Sequence, residues 1–147
     1  MRDGPDRYTR FRFSVKLLRA RSVSAFLRMF RHHSPAPLAC EPRHRSWFTT
    51  AALGLLERKD VARVAGDPPR AGVDATPAGA GPWRYWRWHG APRIYCSAYP
   101  EQCLHALAAA LAGNAAEADP WVIFDNTAHG HAVSDAVRLL ELLGQAR

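Results

Sequence analysis

"WVIFDNTAHGHAVSDAVRLL", residues 121–140, begins as an apolar strand and ends as an amphipathic helix. Five polar side chains, Asp125, Asn126, Thr127, His129 and His131, fill the turn between them. The first part is a short apolar run, and the second repeats its apolar residues at helical spacing. A strand that feeds a helix through a short turn is half of a parallel βα unit. In such units function sits where strands end and helices begin. The turn is therefore either capping chemistry or one corner of a site, and its free backbone N–H groups could also hold an anion.

The same alternation runs back through the chain. "WRYWRWHG" (83–90) and "YPEQCLHALAAALAGN" (99–114) read as a strand and a helix, the helix opening near Pro100 and stopping at Gly113–Asn114. "VARVAGDP" (61–68) is a strand, preceded by the helix "TTAALGLLERKD" (49–60) with a threonine cap. "PLACEPRH" (37–44) is a strand. "SVSAFLRMFRHH" (22–33) places Val23, Phe26, Leu27 and Phe30 on one helical face, with Ser22 or Ser24 as its cap. "RFRFSVKLL" (10–18) alternates as a strand. Gly144 is the expected C′ residue of the last helix. Strands alternating with helices predict an α/β fold with a parallel sheet. Residues 66–82 hold four prolines and four glycines, so they predict a long loop or lid.

The chain has 147 residues, 48% of them hydrophobic, enough for one globular domain with a real core. Its longest apolar runs fall far short of the ~20 residues that span a bilayer. The N-terminus has no apolar core of a secretory signal. Three cysteines without a CxxC pair fit a reduced, cytoplasmic compartment better than a disulfide framework. The net charge is +7, and residues 1–47 alone carry eleven Arg/Lys against three acids. Such a basic arm could bind nucleic acid. With only two lysines in the chain and no recognisable binding motif, this reading is not favoured.

The polar residues fall at the strand ends. Glu41, Arg43 and His44 end one strand, Asp67 the next, Arg87 and His89 the third, and Asp125 and Asn126 the last. Alternation puts Tyr85, Arg87 and His89 on one side of their strand, with Trp86 and Trp88 on the other. A guanidinium on an inner face needs a carboxylate, and Glu41, Asp67 and Asp125 are the candidates. If Arg87 and Glu41 form a close pair, that pair is as well explained by fixing the fold as by binding a ligand. His44, His89, His129 and His131 with these acids could hold a divalent metal, but no HxH or HExxH spacing on a strand or helix favours it. No Ser-His-Asp order, P-loop or dinucleotide fingerprint occurs.

"EPRHRSWF" (41–48), "RWHG" (87–90) with "YCSAYPEQCL" (95–104), and "VIFDNTAHGHAVSDAVRLLELL" (122–143) together resemble the YecE-like family, the domain of unknown function numbered 72. "FRFSVK" (11–16) resembles an earlier strand of that family. The resemblance implies a TIM-like (β/α) barrel of uncharacterised activity. It also implies a polar rim of Lys16, Glu41, Arg43, His44, Trp47, Arg87, His89, Tyr95, Asn126 and Asp125. Arg45 stands where the family usually has proline, and Asp125 where asparagine is commoner.

A full TIM barrel needs at least ~200 residues. The expectation is therefore one incomplete barrel over residues 1–147, with about five parallel strands and truncated relative to the family. Residues 1–21 would be the basic arm and one strand, and 22–147 the C-terminal half-barrel. The favoured function is binding of an unknown polar or anionic small molecule at the rim. Glu41, His44, His89 and Asp125 would act in acid/base steps, and Lys16, Arg43, Trp47, Arg87, Tyr95 and Asn126 in binding. The alternatives are a nucleic-acid-associated barrel and an inactive remnant. No cofactor is named, no membrane partner is expected, and open sheet edges predict self-association.

Overall fold

The computed structural model describes residues 13–17, 23–69, 76–80, 83–114 and 119–145, with the backbone alone at 13–17, 83, 114 and 119. In chain order the elements are β1 (Phe13–Leu17), α1 (Ser24–His33), β2 (Leu38–Pro42), a 3-10 turn (Arg45–Phe48), α2 (Thr50–Arg58), β3 (Val61–Arg63), β4 (Ala65–Asp67), β5 (Ala78–Gly79), β6 (Trp83–Trp88), α3 (Glu101–Asn114), β7 (Asp119–Phe124) and α4 (His131–Gln145). One sheet has the order β1-β2-β3-β5 and the other β4-β6-β7. The pairs β1–β2, β2–β3, β4–β6 and β6–β7 are parallel. Only Val64 separates β3 from β4, and its N–H donates to the Cys40 carbonyl at 2.9 Å. The chain thus passes straight from one sheet into the other, and the strand segments Leu38–Pro42, Val61–Asp67, Trp83–Trp88 and Asp119–Phe124 lie side by side in chain order. No barrel closes among the described residues.

Three local expectations need correction. The Pro/Gly-rich stretch is not all loop: it begins in β4 and supplies β5, which pairs antiparallel with β3. Gly79 makes this crossing possible, since a Cβ there would lie 2.4 Å from the Val61 carbonyl oxygen. Helix α1 is not capped by Ser24, because Val23 holds the cap position without a side-chain bond. Ser22 and the arm at 1–12 and 18–21 lie outside the described residues. Gly144 lies within α4, which runs one residue further. The threonine cap of α2 is present, Thr49 accepting from the Ala52 N–H at 3.2 Å.

The tryptophan alternation of β6 sorts two faces. Trp86 and Trp88 pack with Leu104, Leu107, Leu111, Leu139 and Leu142 beneath α3 and α4. Tyr85 turns the other way, against Ala39, Ala62 and Val64. A second core joins Leu27, Leu38, Cys40, Trp47, Leu56 and Val61 between α1, α2 and the first sheet. Each leucine buried in this way contributes about 1.5–3 kcal/mol. Arg31 pins the end of α1 to the turn before β3, donating to the carbonyls of Ala36, Lys59 and Asp60.

Candidate functional site

Parallel pairing carries the ends of β2, β6 and β7 to one rim, and their charged side chains meet there. Arg87 is the centre. Its Nη1 donates to Glu41 Oε2 at 2.7 Å and its Nη2 to Asp125 Oδ2 at 2.8 Å. Arg43 Nη2 lies 2.7 Å from Glu41 Oε1. His89 bridges the same two acids, Nε2 at 3.3 Å from Glu41 and Nδ1 at 3.1 Å from Asp125. One ring N–H serves one carboxylate; serving both takes the doubly protonated ring. Glu41 reaches Arg87 across the intervening strand, whose Gly66 carries no side chain.

Charge within the cluster nearly cancels, two carboxylates against two guanidiniums. Burial alone would push the Glu41 carboxyl up. The hydrogen bond to His89 and the charges of Arg87 and Arg43 outweigh it and hold the group at about 2. Burial likewise works against the Arg87 charge, but Glu41 and Asp125 raise its pKa overall. Arg87 is therefore occupied by the chain's own acids. The close Arg87–Glu41 pair gives it a structural duty, as the sequence allowed.

The loop after β6 closes over this cluster. Gly90 (φ +93) turns it, and a Cβ there would meet the Ser97 carbonyl oxygen at 2.9 Å and Asn126 Cβ at 3.0 Å. Tyr95 follows in a left-handed conformation (φ 68) that costs a non-glycine residue on the order of 1 kcal/mol. Its backbone is held at both ends, its N–H donating to the His89 carbonyl and its C=O accepting from Ala128. The ring stands perpendicular to His89 at 5.8 Å between centroids, and the residue is 41% exposed.

Beneath the loop lies a residue that sequence reasoning missed. Asp135 of α4 is buried and accepts from Asn126 Nδ2 at 2.7 Å and from the Tyr99 N–H at 3.2 Å. Asn126 Nδ2 also donates to the Ser97 carbonyl, so this fully buried amide ties the turn after β7 to the loop after β6. Hydrogen bonds to an ionised acceptor are worth more than neutral ones. Asp135→Asn should lower stability by about 1–2 kcal/mol in urea unfolding. An unchanged midpoint would mean that the charge of Asp135 does not hold these loops.

Of the other rim candidates, His44 and Trp47 are engaged elsewhere. His44 caps the 3-10 turn, its Nδ1 accepting from the Ser46 N–H at 3.1 Å. Trp47 is fully buried in the α1–α2 core, and among the described residues its Nε1 has no hydrogen-bond partner. Lys16 pairs in backbone register with Glu41, but its side chain lies outside the described residues. His129 is exposed, and His131 opens α4. Among the described residues no three His, Cys, Asp or Glu side chains gather as a metal site, and no helix is long and apolar enough to cross a membrane. On the opposite face of β6 a cavity of about 400 Å³ is lined by Asp67, Arg84, Trp86, Trp88, Cys103 and Leu107. It includes none of the clustered charges.

The family model described as "Protein of unknown function DUF72" matches residues 7–147. The chain belongs to this family. A DUF72 family protein of Enterococcus faecalis V583 has the same fold at a TM-score of 0.75, with 22% identity over 91% of this chain and 58% of that one. A second structure of that protein gives 0.75, 24%, 91% and 61%. A DUF72 family protein of Thermotoga maritima MSB8 gives 0.74, 20%, 91% and 58%. This DUF72 chain thus spans less than two thirds of the length of the solved structures it matches. No curated protein matches it.

Proposed function

We propose that this chain binds a polar small molecule at the strand C-terminal rim of an incomplete TIM-like barrel wall, with Tyr95 as one wall of the site. The observation that carries the reading is Tyr95 itself. A tyrosine held in a left-handed backbone, exposed, and set edge-on against a histidine bridging two acids is strain retained at a surface. Such strain is concentrated at binding and catalytic positions. The parallel-strand rim is also where α/β folds receive ligands.

Roles divide by environment. Glu41, held at about 2, is an anion at neutral pH and a poor base, so it anchors Arg43, Arg87 and His89. Asp125, with a side chain 26% exposed, and His89 behind it are the pair placed to accept and pass a proton. Arg43 sits at the edge of the cluster, its side chain 14% exposed. Because the guanidiniums already face carboxylates, a neutral hydroxyl- or amide-bearing ligand fits better than a strongly anionic one.

The test separates binding from folding. Tyr95→Gly removes the ring and relieves the positive φ, so its melting temperature should equal or exceed that of the parent. The parent is screened by thermal shift against monosaccharides, sugar phosphates, nucleotides and oligonucleotides. A neutral polyol that stabilises the parent should lose its shift in Tyr95→Gly. No hit in the screen, or an undiminished shift in the variant, overturns the reading. A hit confined to oligonucleotides, steeply salt-dependent, would favour a nucleic-acid role instead.

A further inference from the structure

Strand β6 has two faces, and only one of them belongs to the rim. Arg84, Trp86 and Trp88 turn the other way and line the cavity of about 400 Å³. The flank of α3 that faces them carries Cys103, Ala106 and Ala110, three small side chains at i, i+3 and i+7. Leu104 and Leu111 of the same helix go to the core instead. Small residues on this flank leave a gap that the helix does not fill. Among the described residues the β4–β6 crossover adds only Thr76 and Pro77 to the cavity, and no helix. Ala106 and Ala110 are exposed, so the cavity opens to solvent along α3.

The walls are apolar and the two ends are charged. Asp67 ends β4 in register with Trp88. Arg84 lies four residues back along β6, about 13 Å away at ~3.3 Å per residue. The two charges differ in what they already hold. Arg84 has a partner within the chain. The Asp67 carboxylate enters no ion pair among the described residues. Its backbone is fixed, the carbonyl accepting from the His89 N–H at 2.7 Å and from the Tyr99 hydroxyl at 3.2 Å. Trp88 is fixed as well, its ring centroid 4.3 Å from that of Tyr99 and 5.8 Å from that of Phe124. A carboxylate and an indole held side by side suit an organic cation, through opposite charge and the negative face of the ring.

We propose that this cavity is a binding site separate from the rim and that it takes an amine with an aromatic or aliphatic body. The ammonium head sits at Asp67, and the body lies along Trp86 and Trp88 toward Ala106. A neutral molecule of the same shape gains the apolar walls alone. An acid faces the Asp67 charge and reaches Arg84 only by displacing the partner that Arg84 already has. The size fits, since small-molecule sites run from ~300 to ~1,000 Å³ and combine apolar walls with a few placed polar groups.

The experiment is calorimetric titration of the full chain at neutral pH with three probes that share one body: phenethylamine, phenethyl alcohol and phenylpropanoate. Phenethylamine should bind saturably and at least ~10-fold more tightly than the alcohol, because its contact with Asp67 is charge-assisted. The acid should bind most weakly. Asp67→Asn keeps the shape of the site and should bring the amine and the alcohol within ~3-fold of each other. Ala106→Phe fills the cavity from an exposed helix position, so it should abolish binding of all three probes at an unchanged melting temperature. Failure of the amine to bind saturably overturns the proposal, as does an acid that binds as tightly as the amine. An amine preference that survives in Asp67→Asn also overturns it. So does undiminished amine binding in Ala106→Phe, which would place the amine at the rim beside Glu41 and Asp125.

Discussion

Glu41→Ala should destabilise the protein by about 3–5 kcal/mol, the cost of leaving buried charges without their partner. Glu41 is 3% exposed and receives Arg43, Arg87 and His89 through its two oxygens. Removing it leaves Arg87 with Asp125 alone and places two guanidiniums near one another with a single counter-charge. The loss should appear as a shifted urea midpoint at unchanged slope, with the protein still folded near 10 °C. Glu41→Gln should recover part of the loss, because the amide oxygen still accepts one bond. If Glu41→Ala unfolds at the parental midpoint, the cluster contributes no net stability and its retention would have to be explained by ligand binding alone.

Acid should act on the same residue. The Glu41 carboxyl lies near 2 in the folded chain, below its usual 4.5. A depressed folded value means stability that is fully present above about pH 4.5 and is lost as pH falls toward 2. The difference corresponds to on the order of 3 kcal/mol. Urea midpoints measured between pH 6 and pH 2.5 should fall in the parent. The fall should be shallower in Glu41→Gln, where the titrating group is gone. Parallel pH profiles in the two proteins would assign the acid sensitivity to other carboxylates.

The alternation of β6 and the need of Arg87 for acids are legible in the sequence. A guanidinium sharing a strand face with Tyr85 and His89 has few partners, and the ends of parallel strands supply Glu41 and Asp125. Asp135 was legible in principle: it stands four and seven residues before Leu139 and Leu142, an acid on an apolar stripe. Its partners were not, because Asn126 and Tyr99 reach it only through two loops. Trp47 illustrates the opposite problem. A tryptophan beside polar residues can face solvent or the core, and only the 3-10 turn decides, by rotating it inward. The φ of Tyr95 depends on bonds to His89 and Ala128, which no local pattern encodes. Strand β5, two residues long, rests on Gly79 fitting against Val61.

The junction at Val64 ties the fate of the two sheets together. β3 and β4 share one stretch of backbone, and the residue between them is 2% exposed and bonded to Cys40. The Glu41–Arg87 pair crosses that stretch from β2 to β6 like a rivet. Solvent cannot reach the Val64 amide by fraying one edge, because its neighbours on both sides must part first. Amide exchange there would follow whole-molecule opening, making the junction part of the slowest cooperative unit of the chain.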